Sequence, residues 1–126
     1  WHRFYSTRWL HSNSGSPAET SMFAFNALNQ VGGLAMANGY VNNFALETEA
    51  VLTSGTVGAA LQVNGLTVAS GNIVTGKRAY AEHMFNTEGK PTAPVASGDL
   101  VAIKYAKVTA GMTSYLYGRV NLTYTD

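Results

Sequence analysis

The 126-residue sequence contains no cysteine. Disulfides, thiolate nucleophiles and cysteine-ligated zinc are therefore excluded, and cysteine usage says nothing about the redox compartment. Charge is also scarce. The chain has 8 basic and 7 acidic residues, 12% in all, against about 25% in ordinary globular domains. A net charge of +1 gives no basic face of the kind that binds nucleic acid. No apolar run approaches the roughly 20 residues of a bilayer-spanning helix, and no basic-then-apolar leader is visible. His2, His11 and His83 lie far apart, at no metal-ligating spacing. Neither a metal nor a cofactor is called for. So lean a surface suits burial against other subunits better than life as a monomer.

What is present is strand-forming sequence. Asn64-Gly65 is the preferred pair of a two-residue type I′ turn, in which both positions take φ > 0. Such a turn pairs Val63 with Leu66 and Leu61 with Val68, with all four side chains on one face. Over 115–125 the chain alternates. Leu116, Val120, Leu122 and Tyr124, with Gly118, share one side; Tyr115, Tyr117, Arg119, Asn121 and Thr123 share the other. Ser97-Gly98-Asp99 reads as a turn before a strand over 100–108. Residues 109–113 are expected to join that strand to the last one as an antiparallel pair. Further strands are expected over 2–10, 40–53 and 73–85, and a loop with Gly89, Pro91 and Pro94 follows the last of these. Residues 16–30 read two ways. Ser16-Pro17-Ala18-Glu19 fits a capping box opening a short helix within 17–30, while Phe23, Phe25 and Ala27 alternate like a strand. Some eight short antiparallel strands, in a length that suits one domain, point to an all-β sandwich or barrel.

The chemistry-bearing residues are few. Glu47 and Glu49 fall on one strand face about 7 Å apart. Paired carboxylates equip glycoside hydrolases, but acids on a strand are far more often a solvated guard against edge-to-edge association. No G-x-S-x-G elbow occurs, and no glycine run has the strand–loop–helix setting of a phosphate loop. No enzyme is expected. Lys77-Arg78, with Arg119 and Lys104 as neighbours in the fold, offers a forked grip on a carboxylate or else a solvated loop edge. Tyr115 and Tyr117 beside Arg119, opposite the core, need cover. Tyrosine and arginine are the residues enriched in interface cores, so a neighbouring subunit is favoured over a sugar.

Three segments carry a resemblance: Leu61-Gln-Val-Asn-Gly-Leu-Thr-Val-Ala69, Ser97-Gly-Asp-Leu-Val-Ala-Ile-Lys104, and the closing Tyr117-Gly-Arg-Val-Asn-Leu-Thr-Tyr-Thr125. Together they resemble trimeric jelly rolls of the tumour-necrosis-factor and complement type. Within that group they are similar to the C-terminal knob of a short-tailed phage's tail needle, or to a tail-fibre tip. The resemblance covers roughly residue 39 onward. It implies one antiparallel two-sheet jelly-roll domain, residues 1–126, as the C-terminal part of a longer fibrous protein with an upstream coiled coil. It implies a homotrimer whose last strand meets the neighbours, through Tyr115, Tyr117 and Arg119. It implies a virion location and a role in host-surface contact, envelope penetration or portal sealing. A host glycan or envelope component would be the partner. A small anionic ligand between protomers would fall to Lys77, Arg78 or Arg119. No catalytic residue, cofactor or metal comes with it. The rival reading is a carbohydrate-binding module in which Trp1, Trp9, Tyr115 and Tyr117 stack on sugar rings.

Overall fold

The computed structural model describes residues 2–11, 20–21, 34–107 and 114–125. Of the stretch that reads as either helix or strand, only Thr20–Ser21 falls among them, and it is a strand. The helix expected within 17–30 otherwise lies outside the described residues.

Nine strands form in chain order: β1 (His2–His11), β2 (Thr20–Ser21), β3 (Gly39–Thr48), β4 (Val57–Val63), β5 (Leu66–Ile73), β6 (Ala79–His83), β7 (Pro94–Val95), β8 (Val101–Lys107) and β9 (Ser114–Tyr124). No helix occurs among the described residues. The first sheet has the order β1-β9-β3-β6, with β7 added beside β3, and the second has the order β2-β8-β4-β5. Every pairing is antiparallel. Apart from the β4–β5 hairpin and the short β7, the chain changes sheet at every connection. That is the jelly-roll sandwich, all-β with two antiparallel layers.

The core lies between the layers and follows from period-two alternation. The first sheet contributes Val41, Phe44, Leu46, Val120, Leu122 and Tyr124; the second contributes Val57, Ala59, Leu61, Val101, Ile103 and Tyr105. Most of these side chains are fully buried. Tyr124 reaches the rim, where its hydroxyl oxygen accepts the Met36 N–H at 3.0 Å. The inward positions of β9 are those that its alternation marks out.

Four expectations need correction. The strands over 100–108 and 115–125 do not pair. β8 sits between β2 and β4 in the second sheet, β9 between β1 and β3 in the first, so neither has a free edge for the other. The strand expected over 40–53 stops at Thr48. There the Thr48 hydroxyl donates to the Ala50 carbonyl at 2.6 Å and turns the chain, after which Leu52 N–H donates to Lys77 O at 2.9 Å. The strand expected over 73–85 is split. Ile73 closes β5, a turn through Gly76 (φ 88) carries the chain to the other sheet, and β6 starts at Ala79. The Asn64-Gly65 turn has φ of 52 and 83 and pairs Val63 with Leu66 as expected. Leu61, however, pairs with Ala69, because a bulge intervenes. Val68 and Leu66 are both exposed, Leu66 at 73%.

Candidate recognition face

The outer surface of the first sheet gathers the residues of interest, and strand register places them in rows. At one end, Tyr40 stands between Thr123 and Pro94. In the next row Asn43 stands between Asn121 and His83. Then Ala45 stands between Arg119 and Ala81, and Glu47 between Tyr117 and Ala79. Successive rows are roughly 7 Å apart along the strands, and neighbours in a row about 5 Å apart. β3 would not present this set without the irregularity at Asn42. An extra residue there lets Tyr40 and Asn43 face outward while Val41 and Phe44 both face the core.

Among the sequence-selected residues, Tyr115 stands opposite Leu10 in the β1–β9 register. Tyr117 and Arg119 are exposed, and Tyr117 donates a hydrogen bond from its hydroxyl to Glu49 Oε2 at 3.4 Å. Arg78 Nη2 lies 3.6 Å from Glu47 Oε1. Arg78 and Arg119 thus border the same face, from its β6 and β9 sides. Lys77 sits in the turn before β6, and Lys104 lies on β8, in the other sheet. Glu47 and Glu49 part company: Glu47 is in β3, Glu49 just past its end, and the two hold different partners.

The sequence singles out Arg119 but not the side chains that the fold gathers around it. Asn43, Ala45, Ala81, His83 and Arg119 line a shallow trough of about 190 Å³. Its floor is two alanines, and the taller side chains stand around it. Tyr40 and Phe85 meet edge to face at one end of the sheet, centroids 5.9 Å apart and planes at 78°. Asn121 adjoins Asn43 by register. Nothing local in the sequence marks these residues, which come from three strands and meet only through the sheet order. The one readable sign was the polar side of β9.

Elsewhere two ionisable side chains, Tyr80 and Asp99, are committed to structure. Tyr80 reaches over Gly71 of β5 and donates its hydroxyl proton to Glu82 Oε1, two residues along β6. The hydrogen bond to Glu82, then burial, then the Glu82 charge push the Tyr80 phenol up to about 12. Asp99 accepts the Ala96 N–H at 2.8 Å and the Asn64 amide at 2.9 Å. These bonds hold its carboxyl below the usual range. Among the described residues no three His, Cys, Asp or Glu are grouped to hold a metal ion.

No protein-family model and no curated protein sequence matches the chain. Solved structures give loose likenesses. One is a chain of Desmodium yellow mottle tymovirus, 14% identical, TM-score 0.42, covering 98% of this chain and 87% of that one. Another is a carbohydrate-binding module, CBM36, in complex with calcium and xylotriose, 17% identical, TM-score 0.33, covering 94% and 99%. Likenesses this loose decide nothing about function.

Proposed function

We propose that this jelly roll is the homotrimeric knob of a phage tail needle or tail fibre, and that it works by binding at the host surface rather than by catalysis. The outer face of the first sheet carries the reading. Tyr117 is 39% exposed beside an exposed Arg119, on a layer whose other side is fully packed. A large aromatic side chain exposed in the middle of a sheet is the usual anchor of a subunit contact. The scarcity of charge across the chain supports the same reading. The two glutamates that would serve a hydrolase are instead bound to Arg78 and Tyr117. Sedimentation velocity of the isolated domain tests the assembly. A trimer at micromolar concentration is expected, with dissociation on Tyr117→Asp. A wild-type domain that sediments as a monomer at that concentration refutes it.

A second reading, a carbohydrate-binding module, is favoured by one observation. The trough mixes amide, imidazole and guanidinium groups around a small floor, with an aromatic pair nearby. That is ligand-site anatomy, and it begins one row from Tyr117.

A further inference from the structure

Polar side chains on the first sheet's outer face divide into two sets. One set is paired: Asn42 Nδ2 donates to Thr123 Oγ1 at 2.7 Å, Glu47 holds Arg78, and Tyr117 holds Glu49. The other set is Asn43, His83, Arg119 and Asn121. Among the described residues none of these four makes a side-chain hydrogen bond or ion pair. They are contiguous, because Asn43 is flanked by Asn121 and His83 in one row and Arg119 stands in the next. Asn43 and Asn121 are also half-buried, and amides withdrawn from water without a protein partner are costly to leave unmatched. Where the sheet could pair its polar groups it has done so. Three of the exceptions, Asn43, His83 and Arg119, line one depression, and Asn121 adjoins it beside Asn43.

The depression has a definite shape. Ala45 and Ala81 form its floor, so a flat ring lying against the sheet meets two methyl groups there. Its roughly 190 Å³ is below the about 300–1,000 Å³ of drug-sized pockets, which suits one ring and excludes a peptide strand or helix. Around the ring stand the Asn43 carboxamide and the His83 imidazole, with the Asn121 carboxamide beside Asn43, each able to donate and to accept. A hydroxyl, itself donor and acceptor, is the natural counterpart of all three. Arg119 differs. It has donors only, arranged in a fork that matches a carboxylate. No acidic side chain pairs with it among the described residues: Glu82, the one acidic residue of the trough lining, takes the Tyr80 hydroxyl instead, and Ala45 beside Arg119 leaves its approach open.

We propose that this trough binds a carboxylate-bearing sugar unit of a surface polysaccharide. The carboxylate sits on Arg119, the ring hydroxyls on Asn43, His83 and Asn121, and the ring face on Ala45 and Ala81. The setting rests on the knob reading; Arg119 stands one row from Tyr117, so the trough borders the proposed subunit contact, and binding and sedimentation give the two readings separate tests. The test is calorimetric titration of the intact domain with glucuronic-acid-containing oligosaccharides and with the same oligosaccharides after carboxyl reduction. Sedimentation of each sample is run in parallel. Binding to the acidic series is expected, at least tenfold tighter than to the reduced series. Arg119→Gln should abolish that preference. Ala81→Leu, which fills the floor from an exposed position, should abolish binding of both series while Arg119 remains. Neither substitution should alter the unfolding temperature beyond a degree or two. The proposal is overturned if no acidic oligosaccharide binds, if the reduced series binds equally well, or if Ala81→Leu leaves binding intact. A trimer that binds no acidic sugar refutes the site and spares the knob; a monomer that binds one does the reverse.

Discussion

Single side chains decide whether the two layers hold together, and two positions show it sharply. Gly39 begins β3 where it runs against β9, and a Cβ there would lie 2.0 Å from the Thr123 carbonyl oxygen. That atom is sheet backbone and has nowhere to retreat. Gly39→Ala should therefore cost roughly 2 kcal/mol or more, as overpacking against rigid structure does, read as a lower midpoint in urea. Tyr80 is the second. Below about pH 10 its phenol is protonated in both folded and unfolded chains, so it adds no pH dependence. Between about 10 and 12 the unfolded chain releases this proton while the folded chain keeps it, because the hydrogen bond to Glu82 and burial disfavour the phenolate. The unfolded state then binds fewer protons, and stability falls as pH rises. Tyr80→Phe should be less stable than wild type at neutral pH, and that deficit should shrink as pH climbs from about 10 towards 12. A deficit constant across that window in parallel urea titrations would contradict the assignment.

Elements were legible where their signals are local. The Asn64-Gly65 turn and the alternation of β9 both depend on neighbours in sequence; the turn forms as read, and the alternation holds over the described residues 117–124. What could not be read was which sheet a strand enters. β8 and β9 are consecutive and similar in pattern, yet each is central in a different layer, and that choice is made by core packing between distant segments. The trough stayed hidden for the same reason. Asn43, His83 and Arg119 carry no mutual spacing, and the shift at Asn42 inverts the simple alternation of β3. One element invites a prediction of its own. No charged residue occurs between Glu49 and Lys77, a span that includes all of β4 and β5. β5 is an edge strand of the second sheet with Leu66 and Val68 exposed. Natural edges are normally guarded by charge or proline; here only the bulge at Val68 breaks the edge. Leu66→Lys should leave thermal stability within about 0.5 kcal/mol of wild type, since the side chain is already in water. It should also reduce self-association at high concentration, measured by light scattering against the wild-type domain.

At the scale of the molecule, the balance between layers gives a reason to expect this domain to associate. The sandwich closes its interior thoroughly, with the largest core side chains from both sheets fully buried. Its outer surface is a different matter. A net charge of +1 and a charged share of 12% provide little electrostatic repulsion between copies, and low net charge favours association. Tyr117, Phe85 and the β5 edge add exposed apolar area on two separate sides. Separate sides are what a head-to-tail contact needs, and such contacts repeat until a rotation closes them into a ring. If the folded domain is a trimer, unfolding is coupled to dissociation, and the native state gains stability by mass action as protein concentration rises. The unfolding temperature should therefore climb by several degrees between about 1 and 100 µM domain, since a hundredfold change per coupled partner is worth about 2.7 kcal/mol. Tyr117→Asp should abolish that dependence without removing the cooperative transition. An unfolding temperature unchanged over the same range would mean that the jelly roll is complete as a monomer, and that its exposed aromatic face serves ligands alone.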